Sequence, residues 1–404
     1  MKAAVMIIVL FLLLFFSTTT HAQHNWFDSV KHVAATEKND TNKVWTLITL
    51  CDAYAFNYPD TAFVYGKQAN DLSEKLDFDN GRLYSIISLN AALYCMGNYS
   101  LELDNGFKLI PLSKRMKDIN ATGFSFGAVG DSYLNLGEPG TAMKYYKEVL
   151  KLGEKYRLPE LHRMYSMLAP VFIQLNEYDS ALYYAKKGFT LFKTSLYYNS
   201  HDWNTLWSQS CVYVTLGEAF GGKNIYDSAL FYYRLCIPVT DSINMKLNKI
   251  TAYNGMAFIF KQQHHFDSAI VYAQKILHDK GTTIYPSGKQ KAAALLADIY
   301  EQQHNADSSL KYFHIAMQLK DSLYNHEKMM AFQNVLFKEN EKEHAVETAT
   351  TDLQNRYRLY FIIAGLMVVF AVSFIMIRNK RQKQLQNMRN SIADDLHDDI
   401  GSAL

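Results

Sequence analysis

The side chains best suited to chemistry lie near the C-terminal end of the chain. His397 is followed by Asp398, and Asp394, Asp395 and Asp399 lie within about one helical turn of it. A neutral imidazole is a nucleophile when one nitrogen is free and the other donates its hydrogen to an acceptor. Asp398 could accept that hydrogen bond while the free nitrogen attacks a γ-phosphate. The surrounding charges also favour imidazolium, so an ordinary surface histidine among carboxylates is the alternative.

An uncharged apolar segment, residues 359–377, precedes this cluster. As a helix it would span about 28 Å, close to the ~30 Å hydrocarbon core of a membrane. The basic residues that flank it are Arg356 and Arg358 before it and Arg378, Lys380, Arg381 and Lys383 after it. Because the more basic flank of a membrane helix lies in the cytoplasm, the sequence predicts a single-pass protein of the inner (cytoplasmic) membrane with a cytoplasmic C-terminus.

The motif Ile-Ala-Asp-Asp-Leu-His-Asp-Asp-Ile-Gly at residues 392–401, just inside a membrane helix, resembles the phosphoacceptor box of sensor histidine kinases. It is similar to the third dimerisation/phosphoacceptor subgroup of that two-component family. The resemblance implies that His397 is the phosphoacceptor and that Asp398 is its orienting acid/base. It also implies a homodimer through residues 378–404, with a contribution from the stalk before the membrane, and a response regulator as the partner in a phosphorelay.

The ATP-binding half of such a kinase is missing from this sequence. Residues 1–404 do not include the second helix of the phosphoacceptor hairpin, and they contain no Gly-rich phosphate loop. ATP and magnesium are therefore expected only with a separate catalytic domain, and the chain is predicted to hold no cofactor and no metal. The favoured interpretation is a truncated kinase that does not phosphorylate itself, and the alternative is a membrane-anchored scaffold without kinase activity.

A repeated pattern extends over residues 45–320. Alignment on Asp-Ser/Thr-Ala gives a period of about 40 residues. The aligned positions are Ala62, Glu102, Ala142, Ala181, Ala229, Ala269 and Ser309, of which Glu102 fits least well. A tyrosine stands three residues later in nearly every repeat, and an aromatic residue stands nine residues earlier in the last five. Small residues such as Gly130 and Gly217 lie three residues before those aromatics. Self-similarity of this kind indicates a helical solenoid.

Each repeat is interpreted as two antiparallel helices that approach closely at the small residues. The aromatic residues are expected to fill the space between the helices, and the aspartates to cap the second helix by accepting from its first amides. The pattern resembles tetratricopeptide repeats with longer loops. That resemblance implies an all-α fold whose concave surface binds an extended peptide or a protein, which the sequence does not name.

The predicted organisation has five parts. Residues 1–22 have the positive start, apolar core and small final residue of a signal peptide. They are followed by a tetratricopeptide sensor domain (23–320), a helical stalk (321–358), the transmembrane helix (359–377) and the first part of the phosphoacceptor region (378–404). The repeats are then periplasmic or extracellular. Met329, Phe332, Leu336, Val346 and Leu353 give the stalk an incomplete coiled-coil pattern, which a capping helix packed on the last repeat would explain nearly as well.

Charge and cysteine content limit the remaining possibilities. The formal net charge of +2 gives no support for a direct contact with nucleic acid. Cys51, Cys95, Cys211 and Cys236 all fall in the part predicted to be exported, where disulfides are permitted. Four cysteines allow three pairings, and buried free thiols are at least as well supported.

Overall fold

The computed structural model describes residues 30–195, 198, 200–278 and 285–402. Within these ranges the chain forms helices joined by turns, and no strand occurs among them. The predicted all-α fold class is confirmed. The chain divides between Val335 and Leu336 into two compact units. The predicted signal peptide, residues 1–22, lies outside the described residues.

Seven helical hairpins follow one another in the described part of the first unit, and we call them repeats 1 to 7. They are α1 (Thr41–Ala55) with α2 (Pro59–Lys75), α3 (Asp79–Met96) with α4 (Tyr99–Met116), α5 (Ile119–Asn135) with α6 (Pro139–Tyr156), α7 (Leu161–Gln174) with α8 (Tyr178–Thr194), α9 (Trp203–Gly222) with α10 (Tyr226–Ser242), α11 (Lys246–Gln262) with α12 (Phe266–Leu277), and α13 (Pro286–Gln302) with α14 (Ala306–Leu323). The last helix, α15 (His326–Ser402), begins in the first unit and ends in the second.

Most of the short turns between these helices contain one residue in the left-handed conformation. Asn176 and Asn224, each with φ 59°, are examples of a residue type that tolerates this region. The αL residue ends one helix and allows the next to fold back. His264, with φ 58°, has the same place between α11 and α12. His264 is therefore a turn residue.

The small residues of the repeat lie where the predicted register requires close helix packing. The alanines at the aligned positions, near the start of each second helix, are fully buried. A Cβ atom on Gly130 would lie 2.6 Å from the Tyr146 ring, and one on Gly217 would lie 2.4 Å from the Tyr233 ring. The two helices of a repeat thus approach so closely that only the hydrogen side chain of glycine fits between the backbone of one helix and the tyrosine ring of the other.

The two aromatic residues of each repeat stack on one another in repeats 3 to 7. The pairs are Tyr133 with Tyr145, Phe172 with Tyr184, Phe220 with Tyr232, Phe260 with Tyr272, and Tyr300 with Tyr312. Their ring centroids are 5.1 to 5.7 Å apart and their planes differ by at most 14°. The periodic tyrosines are therefore packing residues, as the sequence predicts.

The predicted capping role of the aspartates is wrong. Asp179, Asp227 and Asp267 each lie one residue inside the helix, in its first turn. The residue before each helix, such as Ile225, makes no side-chain capping hydrogen bond. Inside the first turn a carboxylate instead stabilises the helix through the positive end of its dipole, an effect of about 0.3–1 kcal/mol.

Contacts between distant repeats close the solenoid within the first unit. The Tyr285 amide donates to the carbonyl oxygen of Cys95 over 2.8 Å, and the Tyr285 ring stacks on Tyr94. These contacts join the start of repeat 7 to repeat 2. On another side, Phe56 of repeat 1 lies 5.7 Å from Trp207 of repeat 5, measured between ring centroids. The successive rotation of the repeats therefore brings the two ends of the described solenoid together.

The first turns of α15 pack on the middle of the solenoid. Ser100 Oγ donates to the carbonyl oxygen of Lys328 over 2.8 Å, and Phe332, which is 8% exposed, contacts the Tyr133 ring. The capping helix considered from the sequence is thus present at its N-terminal end, where it contacts repeats 2 and 3 and, through a hydrogen bond from Lys328 Nζ to the Ser322 carbonyl oxygen, repeat 7. In the second unit the coiled-coil positions Val346 and Leu353 are exposed.

The second unit contains the apolar segment 359–377. Its window of mean hydropathy 2.7 has no buried residue, and by length and composition it is a candidate membrane span. No other helix among the described residues meets that test. Leu385, Met388 and Ile392, farther along α15, are also exposed apolar side chains.

The four cysteines are free thiols. Burial raises the pKa of Cys51 and of Cys95 to about 12, with nearby carboxylates acting in the same direction. Of the two possibilities that the sequence leaves open, the structure has free thiols, and those of Cys51, Cys95 and Cys236 are buried.

Candidate functional site

A cavity of about 2180 Å³ lies inside the closed solenoid, entirely within the first unit. We call it the central cavity. Its walls come mainly from the first helices of repeats 1 to 6. It exceeds the roughly 300–1,000 Å³ of pockets for drug-sized molecules. Its size suits a segment of polypeptide better than a small metabolite.

Two carboxylates that line the central cavity, Glu102 and Asp131, form what we call the carboxylate pair. Glu102 lies in the first turn of α4 and is 2% exposed, and its Oε2 has no hydrogen-bond partner. Asp131, on α5, accepts a 2.5 Å hydrogen bond from the Tyr146 hydroxyl. Of the seven aligned repeat positions, Glu102 alone carries an ionisable side chain where the others have Ala or Ser.

Burial dominates the protonation of this pair. It raises the pKa of Glu102 well above its usual range, and the charge of Asp131 raises it further, whereas the Ser132 hydroxyl acts in the opposite direction. Burial also raises the pKa of Asp131 to about 6, although the Tyr146 hydroxyl and the Arg163 charge lower it. The ionised forms of both carboxyl groups are therefore unfavourable in the cavity, and a nearby cation would stabilise them.

Arg163, on α7, supplies a cation to the same cavity. Its guanidinium carbon lies 3.9 Å from the centre of the Trp207 ring, a cation–π contact. Burial lowers the pKa of Arg163, and the charges of Cys211, Glu160 and Asp131 partly oppose this shift. Arg163 makes no ion pair with any described carboxylate. Trp207 and Trp203 continue as an aromatic cluster with Phe56.

Two hydrogen-bond donors of residues that line the cavity lack an acceptor among the described residues. Asn90 is 4% exposed; its Oδ1 accepts from Asn105 over 2.9 Å, but its Nδ2 donates to nothing. The Trp207 Nε1 likewise has no acceptor. Buried polar groups are normally hydrogen-bonded, so donors without acceptors in a cavity wall indicate an incomplete site. Carbonyl oxygens of a bound chain would complete it.

The predicted catalytic residues lie in the second unit. His397 and Asp398 are consecutive residues of α15. Their side chains are outside the described part, so their roles as phosphoacceptor and orienting acid stay predictions. The exposed side chains of Leu385, Met388 and Ile392 lie on the same helix before them. An apolar stripe of this kind is typical of a helix that packs on a partner helix.

Comparison with known proteins supports the repeat assignment. Residues 125–156, which are most of α5 and α6, match the tetratricopeptide repeat. The solenoid is built of tetratricopeptide-type repeats. The chain is 25% identical over 186 residues to a TPR repeat-containing protein of Methanocaldococcus jannaschii; the match covers 46% of this chain and 27% of that protein. The matched region of this chain thus spans about a quarter of that relative's length.

A solved structure has the same fold. The Rap protein complexed with competence and sporulation factor superimposes with a TM-score of 0.58, at 10% sequence identity, over 73% of this chain and 80% of the Rap chain. At this identity the likeness shows the fold and nothing finer. It supports the helical fold over 73% of this chain.

Proposed function

We propose that this protein is the receptor part of a membrane-bound sensor histidine kinase in a two-component phosphorelay, and that its solenoid binds a peptide or protein ligand. The central cavity is the observation that supports ligand binding, because it is large enough for a peptide and polar atoms in its wall lack hydrogen-bond partners. The Rap structure of similar fold contains a bound factor, which supports assigning the same general role to this solenoid. The kinase assignment depends on the motif at residues 392–401.

Two features of α15 support a signalling role. Its first turns contact repeats 2 and 3 through Lys328 and Phe332, so a change in the solenoid can alter this helix. The exposed stripe of Leu385, Met388 and Ile392 suits a homodimer contact next to the phosphoacceptor. A shift or rotation of α15 would then change how two His397 helices pack. A response-regulator aspartate would receive the phosphoryl group.

The proposed topology places the solenoid outside the cytoplasm. Residues 359–377 cross the inner membrane once, and the basic residues that follow remain in the cytoplasm. ATP and magnesium would be held by the kinase catalytic domain and not by the residues of this chain. His397 supplies the attacking nitrogen, Asp398 holds the other ring N–H, and the phosphoryl group moves from the γ-position of ATP to the imidazole as ADP leaves.

A graft tests the kinase assignment. The full chain is fused after residue 404 to the second hairpin helix and ATP-binding domain of a related kinase, reconstituted in nanodiscs and given radiolabelled ATP with magnesium. We expect an acid-labile label that His397→Gln abolishes. Asp398→Asn should slow labelling without changing the helical content measured by circular dichroism.

The matched control is His314→Gln, because His314 is an exposed histidine on α14 outside the motif. This variant should label like the unmodified graft. A graft that labels equally well with His397→Gln would refute the assignment of the phosphoacceptor. A folded graft that never labels would favour the membrane-anchored scaffold without kinase activity.

A further inference from the structure

The carboxylate pair departs from the rest of the repeat pattern at Glu102, whereas acidic residues also occupy the register position of Asp131 in repeat 5 (Glu218) and in repeat 7 (Asp298). Burial raises the pKa of Glu218, which also lines the cavity, and the charge of Lys291 opposes that shift. Glu102 occupies a position where repeats 1, 3, 4, 5 and 6 have a fully buried alanine. Asp298 of repeat 7 has the same place in its repeat as Asp131, eleven residues before the aligned position. Asp298 forms an ion pair with Lys261 of repeat 6. Among the described residues, the Asp131 carboxylate accepts a hydrogen bond only from the Tyr146 hydroxyl.

The nearest cation does not complete the pair. Arg163 is close enough to lower the pKa of Asp131, but its guanidinium is stacked on Trp207. No ion pair joins Arg163 to either carboxylate in the described part of the chain. Leaving a buried carboxylate without a counter-charge is costly. Glu102 and Asp131 are therefore poised for a positive group from outside the fold.

Other atoms that line the central cavity indicate what carries that positive group. Asn90 Nδ2 and Trp207 Nε1 are donors without acceptors on the same cavity wall. A metal ion would use oxygen acceptors and would gain nothing from these donors. No group of three described His, Cys, Asp or Glu side chains could hold a metal ion. A peptide has both a cation and backbone carbonyl oxygens, so it can satisfy the carboxylates and the donors together.

We propose that Glu102 and Asp131 form a subsite in the central cavity for a positively charged group of a short peptide ligand. The group is either the free amino terminus or a Lys or Arg side chain. The ammonium or guanidinium hydrogens donate to Glu102 Oε2 and to Asp131, and peptide carbonyls accept from Asn90 and Trp207. This inference rests on the proposed role of the solenoid as a ligand-binding sensor, and it names the chemistry of that ligand.

Peptide libraries test this subsite directly. The full chain in nanodiscs is incubated with random octapeptides that have free amino termini, and retained peptides are identified by mass spectrometry. A second library is acetylated at the amino terminus, and a third has Gln in place of Lys and Arg. We expect retention to fall at least tenfold in the library that lacks the recognised cation, since losing one partner of a buried charge pair has a large effect on affinity. The library that fails identifies the source of the charge.

Neutral variants of equal shape then assign the effect to the pair. Glu102→Gln and Asp131→Asn should each reduce retention of the preferred peptides about tenfold or more and remove the preference for the cation. The matched control is Glu148→Gln, because Glu148 is an exposed residue of α6 outside the cavity. It should behave as the wild type. If Glu102→Gln does not fold, Asp131→Asn alone tests the subsite. That variant should fold, because the asparagine amide oxygen can still accept the hydrogen bond from Tyr146.

Three outcomes would overturn the proposal. They are a wild-type chain that retains no peptide, equal retention of all three libraries, and variants of the pair that keep the cation preference. None of these measurements involves phosphate transfer. A negative result in the peptide-binding experiment therefore does not affect the labelling test of His397, and a negative labelling result does not contradict the proposed subsite.

Discussion

Replacing Asp131 by asparagine should stabilise the protein above neutral pH. Burial raises the pKa of Asp131 from 3.8 to about 6 in the folded chain, so the ionised form is disfavoured there relative to the unfolded chain. A difference of about two pKa units corresponds to roughly 3 kcal/mol. The asparagine side chain would keep an oxygen that accepts from the Tyr146 hydroxyl and would remove the buried charge.

The pH dependence follows from the direction of the shift. Below about pH 4 the carboxyl is protonated in both states, and Asp131 contributes no difference. Between pH 4 and 6 the unfolded chain loses its proton first, so the wild type loses stability as the pH rises. Above pH 6 Asp131 is ionised in both states, and its full destabilising effect on the folded wild type is present. The variant lacks this slope, apart from the contribution of Glu102, whose pKa is raised less when the Asp131 charge is absent.

Thermal unfolding of the full chain in nanodiscs, followed by circular dichroism from pH 4 to 8, measures this effect. For a unit of this size we expect Asp131→Asn to unfold about 5 °C above the wild type at pH 7.5 and at the same temperature near pH 4. The control Glu148→Gln should match the wild type throughout. A variant that is less stable at pH 7.5, or whose gain persists unchanged at pH 4, would refute the assignment of a buried, uncompensated carboxylate.

The remaining predictions concern packing, thiols and topology. Gly217→Ala should destabilise the solenoid by roughly 1–3 kcal/mol because its methyl group would overlap the Tyr233 ring. Gly123→Ala is the matched control, since no atom lies within 4 Å of its Cβ position, and it should be neutral or stabilise the protein by up to about 1 kcal/mol. Thermal unfolding of the two variants tests this prediction. Alkylation after unfolding without reductant should modify all four cysteines; fewer modified thiols would contradict free cysteines. A reporter active only outside the cytoplasm should work when fused after residue 355 and fail after residue 404; the opposite result would reverse the topology.

The hairpins could be predicted from the sequence because their determinants are local. Gly217 and Tyr233 meet within one repeat, as do the stacked Phe220 and Tyr232. Such contacts impose a residue type at a fixed spacing, so they recur with the period. The aspartates miss the capping position by two residues: Ile225 is the N-cap of α10, Tyr226 begins the helix, and Asp227 is its second residue. Both positions suit an acidic residue, so composition alone could not separate them.

The central cavity could not be predicted, because it depends on contacts between distant repeats. The hydrogen bond from Tyr285 to Cys95 joins residues whose relation follows only from the summed rotation of all the repeats between them. One local trace of the site was present. Glu102 departs from the alanine of the register, and in the sequence this departure indicates only an irregular repeat. Its meaning becomes clear once Asp131, from the next repeat, is seen on the same cavity wall.

The carboxylate pair and the contacts of α15 belong to the same two helices. Ser100, which donates to the carbonyl of Lys328, shares the first turn of α4 with Glu102, and Tyr133, which contacts Phe332, lies two residues after Asp131 on α5. A ligand can shift a conformational equilibrium only by its difference in affinity for the two states. In the proposed sensor, a cation between Glu102 and Asp131 would hold α4 and α5 together and so favour the state in which α15 is docked. Without the cation that link between α4 and α5 is absent, and the docked state is favoured less. The direction of signalling would then be that ligand binding strengthens the docking of α15.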